Sequence, residues 1–349
     1  MAIKQQTRTI IDIGAYAVKL MQLNSGGKIA RYAVERLPEG CVKGMFIEAE
    51  EPLIRALRTA RQKSGSAGGK CILTLSGKDM IVRHLTLPKL PEKQLYQNVL
   101  LEMAGYLPVD TDKQIIDYKI LEEIRENDNT LYRLMVATIH KKILERFSLV
   151  LKKAGFTISV LDANENAQEK FVRSPIHSLL SENRDKGICI VDMGAETTNV
   201  NLFHDGRFFA GYLLNKGGAR ITQLVAQHLQ ADIITAENYK LKNDLFSDEK
   251  VDPALRQSVK NEIDSLIYEI SKVADYYWSR TNKPLGCIVL SGGATLLTGL
   301  QQYIISNVRL NIYTPQTLLK NYAANKNFAD SLYAYLFNDY AASFREEAK

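Results

Sequence analysis

Two segments 180 residues apart repeat one local design, and that repetition constrains the fold more than any other feature of the chain. The first is Ile10-Ile11-Asp12-Ile13-Gly14-Ala15-Tyr16-Ala17-Val18-Lys19-Leu20, and the second is Ile190-Val191-Asp192-Met193-Gly194-Ala195-Glu196-Thr197-Thr198-Asn199-Val200. Each reads as an apolar strand ending in Asp, a Gly after one intervening residue, and a second apolar-rich strand. A carboxylate at the mouth of such a hairpin, beside a glycine turn whose N–H groups point outward, suits a hydrated Mg²⁺ and a string of phosphates. One Asp-x-Gly turn alone is more often structural. Two facing each other make a clamp.

A third segment, Cys287-Ile288-Val289-Leu290-Ser291-Gly292-Gly293-Ala294-Thr295-Leu296-Leu297, reads as a buried strand, a Gly pair and a helix start. The missing Cβ atoms let a flat ring or a ribose approach the backbone closely. Ser-Gly-Gly after a strand is also a common strand-to-helix turn, and its order relative to the two Asp hairpins favours the functional reading.

With these residues in this order, the chain resembles the actin-like ATPase superfamily. There the two hairpins are the phosphate 1 and phosphate 2 motifs, and the Gly-Gly turn is the adenosine motif. Within that group it resembles the PilM scaffolds of type IV pilus assembly. That likeness rests on Asp12-Ile13-Gly14…Val18-Lys19-Leu20, Asp192-Met193-Gly194-Ala195…His204-Asp205-Gly206, Gly217-Gly218…Ile221-Thr222, Ala236-Glu237…Lys240 and Ser291-Gly292-Gly293…Leu296-Leu297-Thr298-Gly299-Leu300. The resemblance implies an α/β, actin-like (ribonuclease H-like) two-lobed fold.

The 349 residues suffice for two lobes and a large core, and 46% apolar with 24% charged residues is ordinary for a globular chain. A net charge of +6 without Lys/Arg blocks gives no nucleic-acid surface. No run approaches the roughly 20 apolar residues that span a bilayer, and the first residues carry no apolar signal-peptide core. A cytoplasmic protein without direct membrane insertion is expected. Cys41, Cys71, Cys189 and Cys287 form no C-x-x-C pair and are expected to be buried thiols; the five histidines lack zinc-ligand spacing.

Along the chain, residues 8 to 36 read as three strands, followed by a helix over 47–63 and the strand Cys71 to Leu75. The first lobe's initial part is thus 1–78. Residues 79–154 read as an inserted β-α-β-β-α module, with strands Ile81–Leu87, Ile115–Leu121 and Leu131–Ala137, helices Glu92–Gly105 and Lys141–Lys153, and a polar turn over 126–129. PilM and the division protein FtsA resemble this chain in carrying such a module. Residues 155–186 complete the first lobe, ending in a polar hinge over 181–187. The second lobe, 187–327, opens with three strands and a hairpin turn at His204-Asp205-Gly206. Its helical region, 232–281, repeats Ile263, Leu266, Ile267, Ile270, Val273 and Ala274 near helical period, and Tyr276, Tyr277 and Trp278 are expected in the core. A C-terminal helix within 328–349 is expected to pack back on the protein.

The resemblance implies a site for ATP or ADP with Mg²⁺. Asp12 and Asp192 are the expected Mg²⁺ residues, largely through water, because Mg²⁺ dehydrates reluctantly. Phosphate contacts are expected from the N–H groups of Gly14, Ala15 and Tyr16 and of Gly194, Ala195, Glu196 and Thr197, with the ammonium of Lys19. Gly217 and Gly218 should aim a helix N-terminus at the nucleotide, Glu237 and Lys240 should reach a ribose or adenine edge, and Gly292, Gly293 and Ala294 should line the adenosine side. The first phosphate loop departs from PilM relatives, which usually have Ser or Thr after the Gly: here Ala15 supplies no hydroxyl and Tyr16 is bulky. Nucleotide binding is accordingly weak, restricted to ADP, or lost. No catalytic residue is assigned, and at most weak ATPase activity follows.

The function implied is a cytoplasmic, nucleotide-responsive scaffold recruited to the inner membrane by a PilN-like membrane protein. That protein's cytoplasmic N-terminal peptide would seat in a groove between first lobe and module. Self-association is a further partner expectation. The alternative is an FtsA-like actin homologue polymerising on membranes, which wants a basic amphipathic C-terminal helix; residues 329–340 are aromatic and acidic instead. A sugar or acetate kinase needs a first-lobe substrate pocket where this chain has its module.

Overall fold

The computed structural model describes residues 8–106, 113–126, 129–174, 178–183, 185–325 and 328–344. Asn127 and Asp128 of the expected polar turn, Arg184 of the expected hinge and residues 345–349 lie outside them.

The first half runs β1 (Thr9–Ile13), β2 (Ala17–Leu23), β3 (Ile29–Arg36), the short β4 (Val42–Lys43) and β5 (Phe46–Ile47), α1 (Glu50–Ser64) and β6 (Gly69–Leu75). There follow β7 (Met80–Pro88), α2 (Glu92–Ala104), β8 (Gln114–Glu126), β9 (Asn129–His140), α3 (Lys141–Lys153), β10 (Phe156–Ala163), α4 (Asn164–Arg173) and α5 (Ser178–Ser181). The second half has β11 (Gly187–Met193), β12 (Thr198–His204), β13 (Arg207–Leu214), α6 (Gly218–Leu229), α7 (Ile233–Lys242), α8 (Pro253–Thr281) and β14 (Leu285–Ser291). A 3₁₀ turn (Gly293–Leu296), α9 (Leu300–Asn307), β15 (Asn311–Tyr313), α10 (Pro315–Leu319), α11 (Asp330–Tyr335) and α12 (Phe337–Ala342) complete it.

The repeated sequence design becomes a repeated sheet. One five-stranded sheet has the order β10-β6-β1-β2-β3 and the other β13-β12-β11-β14-β15, the same topology read in opposite directions. In each, the Asp-bearing strand forms an antiparallel hairpin on one side and pairs in parallel on the other, β1 with β6 and β11 with β14. Every residue of β1 is buried, as expected of a central strand covered on both faces.

Local signals set the boundaries. Asp205 (φ 50°) and Gly206 (φ 76°) make the two-residue turn that joins β12 to β13, with His204 paired to Arg207. The Asp252 carboxylate accepts from the N–H groups of Ala254 and Leu255, Pro253 opens α8, and Asn282 closes it at φ 52°. In α8 only Tyr277 of the three consecutive aromatics is core; Tyr276 and Trp278 are 38% and 51% exposed, because adjacent residues on a helix point in different directions. All four cysteines are buried free thiols, and burial pushes the Cys71 thiol up to about 12.

The inserted segment divides between two cores. Sheet β7-β9-β8 buries Leu85, Leu87, Ile116, Leu134 and Val136 against Leu95, Val99 and Met103 of α2. α3, which the sequence reading gathers into the module, instead places Ile143, Phe147, Val150 and Leu151 in the first lobe's core, where it packs on α1 and β10. The module also reaches the second lobe. Glu122 of β8 is held at 2.6 Å by Arg133 of β9 and at 2.6 Å by Arg207 of β13. His84 stacks edge-on against Phe208, and burial, with Arg133 and Arg207 nearby, lowers its pKa to about 4.

The C-terminal stretch forms two short helices, α11 and α12, rather than one. α12 packs on α4 and under β1, β2 and β6. Its anchor is Phe171 of α4, fully buried, with ring centroids 5.0 Å from Phe337, 6.4 Å from Tyr340 and 5.8 Å from Phe344. Replacing Phe171 with Ala is expected to lower stability by about 3–5 kcal/mol in urea unfolding. Limited proteolysis of that variant should cut first between α11 and the C-terminus; a cost under about 1 kcal/mol would refute the anchoring role.

Candidate functional site

The cleft between the two sheets collects most of the residues singled out from sequence. Asp12 and Lys19 are direct cross-strand partners on β1 and β2, which is the physical reason for their seven-residue spacing. Lys19 Nζ donates to Asp12 Oδ2 at 2.8 Å. Burial alone would lower the Lys19 pKa, but Asp12, together with Asp339 and Asp192, outweighs it and holds the ammonium above its usual value. The second hairpin repeats this register with Asp192 opposite Asn199. In the parallel neighbours, Asp12 aligns with Thr74 and Asp192 with Ser291. The two carboxylates lie near enough to act on each other: burial raises the Asp192 pKa, and Asp12 adds to the rise while Asn338 and Lys19 oppose it.

Both glycine turns are closed by their own backbone, Gly14 N–H to the Ala17 carbonyl at 3.1 Å and Gly194 N–H to that of Thr197 at 2.9 Å. A Cβ at Gly14 would sit 3.3 Å from Lys19 Nζ, so glycine gives the ammonium room over the turn. The α6 N-terminus does approach the second loop, but Gly218 N–H donates to the Gly194 carbonyl (3.0 Å) and Ala219 N–H to that of Ala195 (2.8 Å). Gly217 is required there, since a Cβ would lie 2.4 Å from the Ala195 oxygen. Glu237 and Lys240 are buried and paired at 2.7 Å; Thr222 donates to Glu237 at 2.6 Å, and Lys240 donates to the Gly218 carbonyl and to Thr222. At the Gly pair, Gly292 has φ 91° and passes against Met193 and Asp192, while Ala294 packs on Gly218.

Tyr16 packs under Arg36, its ring 5.0 Å from the guanidinium. Burial raises its pKa, Arg36 opposes, and Glu237 reinforces the rise. Glu196, in the second loop, accepts from Gly44 N–H at 3.0 Å and latches the β4–β5 turn to the other lobe.

Four functional residues escaped the sequence reading. Asn338 donates to Asp192 Oδ2 at 2.8 Å and accepts from Gln168 at 3.0 Å, whose own oxygen accepts from Asn201 at 2.9 Å. Asp339 is fully buried with neither oxygen bonded, and burial, followed by Asp12, lifts its pKa well above the usual carboxylate range against the pull of Lys19. Tyr335 lies on Gly293, where a Cβ would be 2.6 Å from the ring. Glu165, in the first turn of α4, has Oε2 buried without a partner. The available signal was Asn338-Asp339, a polar pair inside the apolar run from Leu332 to Ala342.

The match that decides the family is to the model of the type IV pilus assembly protein PilM, which covers residues 10–328. The chain belongs to the PilM family. The PilM–PilN type IV pilus biogenesis complex has a similar fold, with TM-score 0.78, 19% identity, and coverage of 98% of this chain and 97% of that one. The ethanolamine utilization protein EutJ from Carboxydothermus hydrogenoformans follows with TM-score 0.55, 11% identity and coverage of 99% and 91%. Cell division protein FtsA from Staphylococcus epidermidis is 23% identical over 233 residues, 60% of this chain and 47% of that protein. The chain spans about half the length of the curated relatives it matches. The architecture is the actin-like ATPase fold.

In the conformation described, three contacts that the sequence reading assigns to a nucleotide are already engaged within this PilM-family chain. Asp12 is neutralised by Lys19, the α6 N-terminal N–H groups are bonded to the second loop, and the open face of Gly293 is covered. The acid cluster is nonetheless chemically tuned. Burial raises Glu165 to about 7, with Asp162 and Asp192 adding to the rise. A carboxyl whose folded pKa exceeds its unfolded value destabilises the fold as pH rises from the unfolded pKa to the folded one. The chain should therefore lose stability between about pH 4.5 and 7 through this group, and Glu165→Gln should be the more stable protein at pH 8 by up to about 3 kcal/mol but not at pH 4.5. Urea unfolding of both proteins at the two pH values reads this directly; an equal difference at both would refute it.

Proposed function

We propose that this chain is a cytoplasmic docking scaffold of the type IV pilus inner-membrane assembly complex. It captures the cytoplasmic N-terminal peptide of a PilN-like membrane protein in a groove between first lobe and module. Family membership supports the assembly role. The observation that carries the docking reading is a strand edge beside an apolar wall. Among the described residues β10 pairs only with β6, so its outer edge is open to a further strand. Beside that edge apolar side chains lie on both faces of the sheet, part-exposed Ile158 in the cluster of Met80 and Ile115, and part-exposed Val160 in the cluster of Val82 and Leu121. An extended peptide there gains backbone hydrogen bonds along β10 and sends alternate side chains to the two faces.

The rigid setting of the module supports the same reading. Glu122 between Arg133 and Arg207 fixes the groove's far wall to the second lobe, so the groove is preorganised and little ordering free energy opposes binding. Among the described residues no helix is long and apolar enough to cross a membrane, so recruitment to the membrane falls to the partner. The aromatic side chains of α12 that a lipid-binding helix would present are packed against α4 instead. This favours the scaffold over a membrane-bound polymer.

Calorimetric titration with a synthetic N-terminal peptide of the candidate PilN-like partner should give saturable heat. Val160→Asp, on the groove wall, should weaken it at least tenfold, about 1.4 kcal/mol, with the melting temperature nearly unchanged. No heat with the wild-type chain, or equal affinity in the variant, contradicts the groove.

A further inference from the structure

The cleft carries its own occupant. Three features that would receive a nucleotide are each met by a side chain of this chain. The Gly292-Gly293 turn gives up its Cβ atoms, and the space so opened on Gly293 is taken by the Tyr335 ring. Tyr335 belongs to α11, which packs directly on the 3₁₀ turn that follows the Gly pair. Glu237, the acid expected at a ribose, acts electrostatically on the phenol of Tyr16 from the opposite lobe. Asp192, the acid expected at the metal, receives the carboxamide of Asn338, three residues and one helix start beyond Tyr335. Burial raises the Tyr335 pKa, Tyr16 and Glu237 add to the rise, and Lys19 and Arg36 oppose it.

We propose that Tyr335 and Tyr16 form an internal plug that occupies the adenosine side of the cleft and holds the two lobes together without nucleotide, so that an adenine nucleotide binds only by displacing Tyr335. Tyr335 supplies a flat aromatic ring against Gly293, smaller than a purine but with the same kind of stacking face. Tyr16, under Arg36 on β3, feels the charge of Glu237 on α7 of the other lobe. Because the plug is covalently part of the chain, its local concentration is that of a tethered ligand, and a free nucleotide competes against it at a disadvantage. Any nucleotide that enters must move α11. α11 is continuous with α12, whose Phe337 and Tyr340 anchor on Phe171 of the first lobe, so entry is felt at the far side of the cleft.

The inference is independent of the peptide groove, and its test uses no peptide. The full chain is titrated with a fluorescent ATP analogue in Mg²⁺, with unlabelled ADP as competitor. The wild-type protein is expected to bind weakly, and Tyr335→Ala at least tenfold more tightly with ADP displacing the probe. Tyr335→Phe, which keeps the ring, is expected to bind as the wild type does. Tyr335→Val, which retains an apolar side chain but clears Gly293, takes the place of Tyr335→Ala if that variant fails to unfold cooperatively. Equal affinity in the wild-type and ring-less proteins, at any strength of binding, overturns the plug. So does tighter binding by Tyr335→Phe equal to that of the ring-less variant.

Discussion

The structure turns on a buried chain of carboxamides that ends on a phosphate-motif aspartate. Asn201 of β12 donates to Gln168 of α4, Gln168 donates to Asn338 of α12, and Asn338 donates to Asp192 of β11. Gln168, Asn201 and Asn338 are nearly inaccessible to solvent. Each link joins a different part of the chain: second lobe to first lobe, first lobe to C-terminal segment, and that segment back to the second lobe. Buried polar groups of this kind are costly unless each is paired, and once paired they fix one arrangement among many apolar packings of similar energy. The chain therefore specifies how the lobes meet more than it adds to their adhesion, which comes from the aromatic packing around Phe171.

Much of the fold was legible in the sequence because its strongest signals are local. The Asp hairpins, the His204-Asp205-Gly206 turn, the Asp252-Pro253 helix start and the Gly-Gly strand exit each draw their conformation from residues within a few positions. Even the Lys19 spacing is local, being the register of a two-strand hairpin. The allocation of α3 was not legible, since an amphipathic helix states that it has a buried face and not which of two neighbouring sheets covers it. The candidate site was half legible for the same reason. Asp12, Lys19, Asp192, Glu237, Lys240 and the glycines announce themselves, whereas Asn338 meets Asp192 across 146 residues and nothing local to either foretells it. Tyr335 read as one more aromatic in an aromatic stretch.

The electrostatics of the cleft fit a self-contained site. Asp12, Asp192 and Asp339 all act on one ammonium, that of Lys19, and Asp192 in turn acts on Glu165. Burying several carboxylates with a single cation is unfavourable unless some stay neutral, and the raised pKa values of Asp192, Glu165 and Asp339 are that response. Asp12 is the member that takes the ammonium directly, at 2.8 Å. The same acid excess would attract a divalent cation, yet the Lys19 ammonium already stands against the first-lobe acid, and a phosphate-bound metal would have to draw Asp12 away from it.

A fold whose lobes are held by a ligand has a stability that follows ligand concentration by mass action. Here Asn338 on Asp192 and Gly44 on Glu196 supply two hydrogen bonds, one lobe to tail and one lobe to lobe, from the chain itself. The groove beside β10 has one wall in the first lobe and another in a module tied to the second lobe through Arg207. Its width is consequently set by the angle between the lobes. A cleft closed by the chain's own side chains holds that angle without a ligand, and a nucleotide that displaced Tyr335 would loosen it. An actin-like fold in this way keeps its lobes together without the ligand of its relatives.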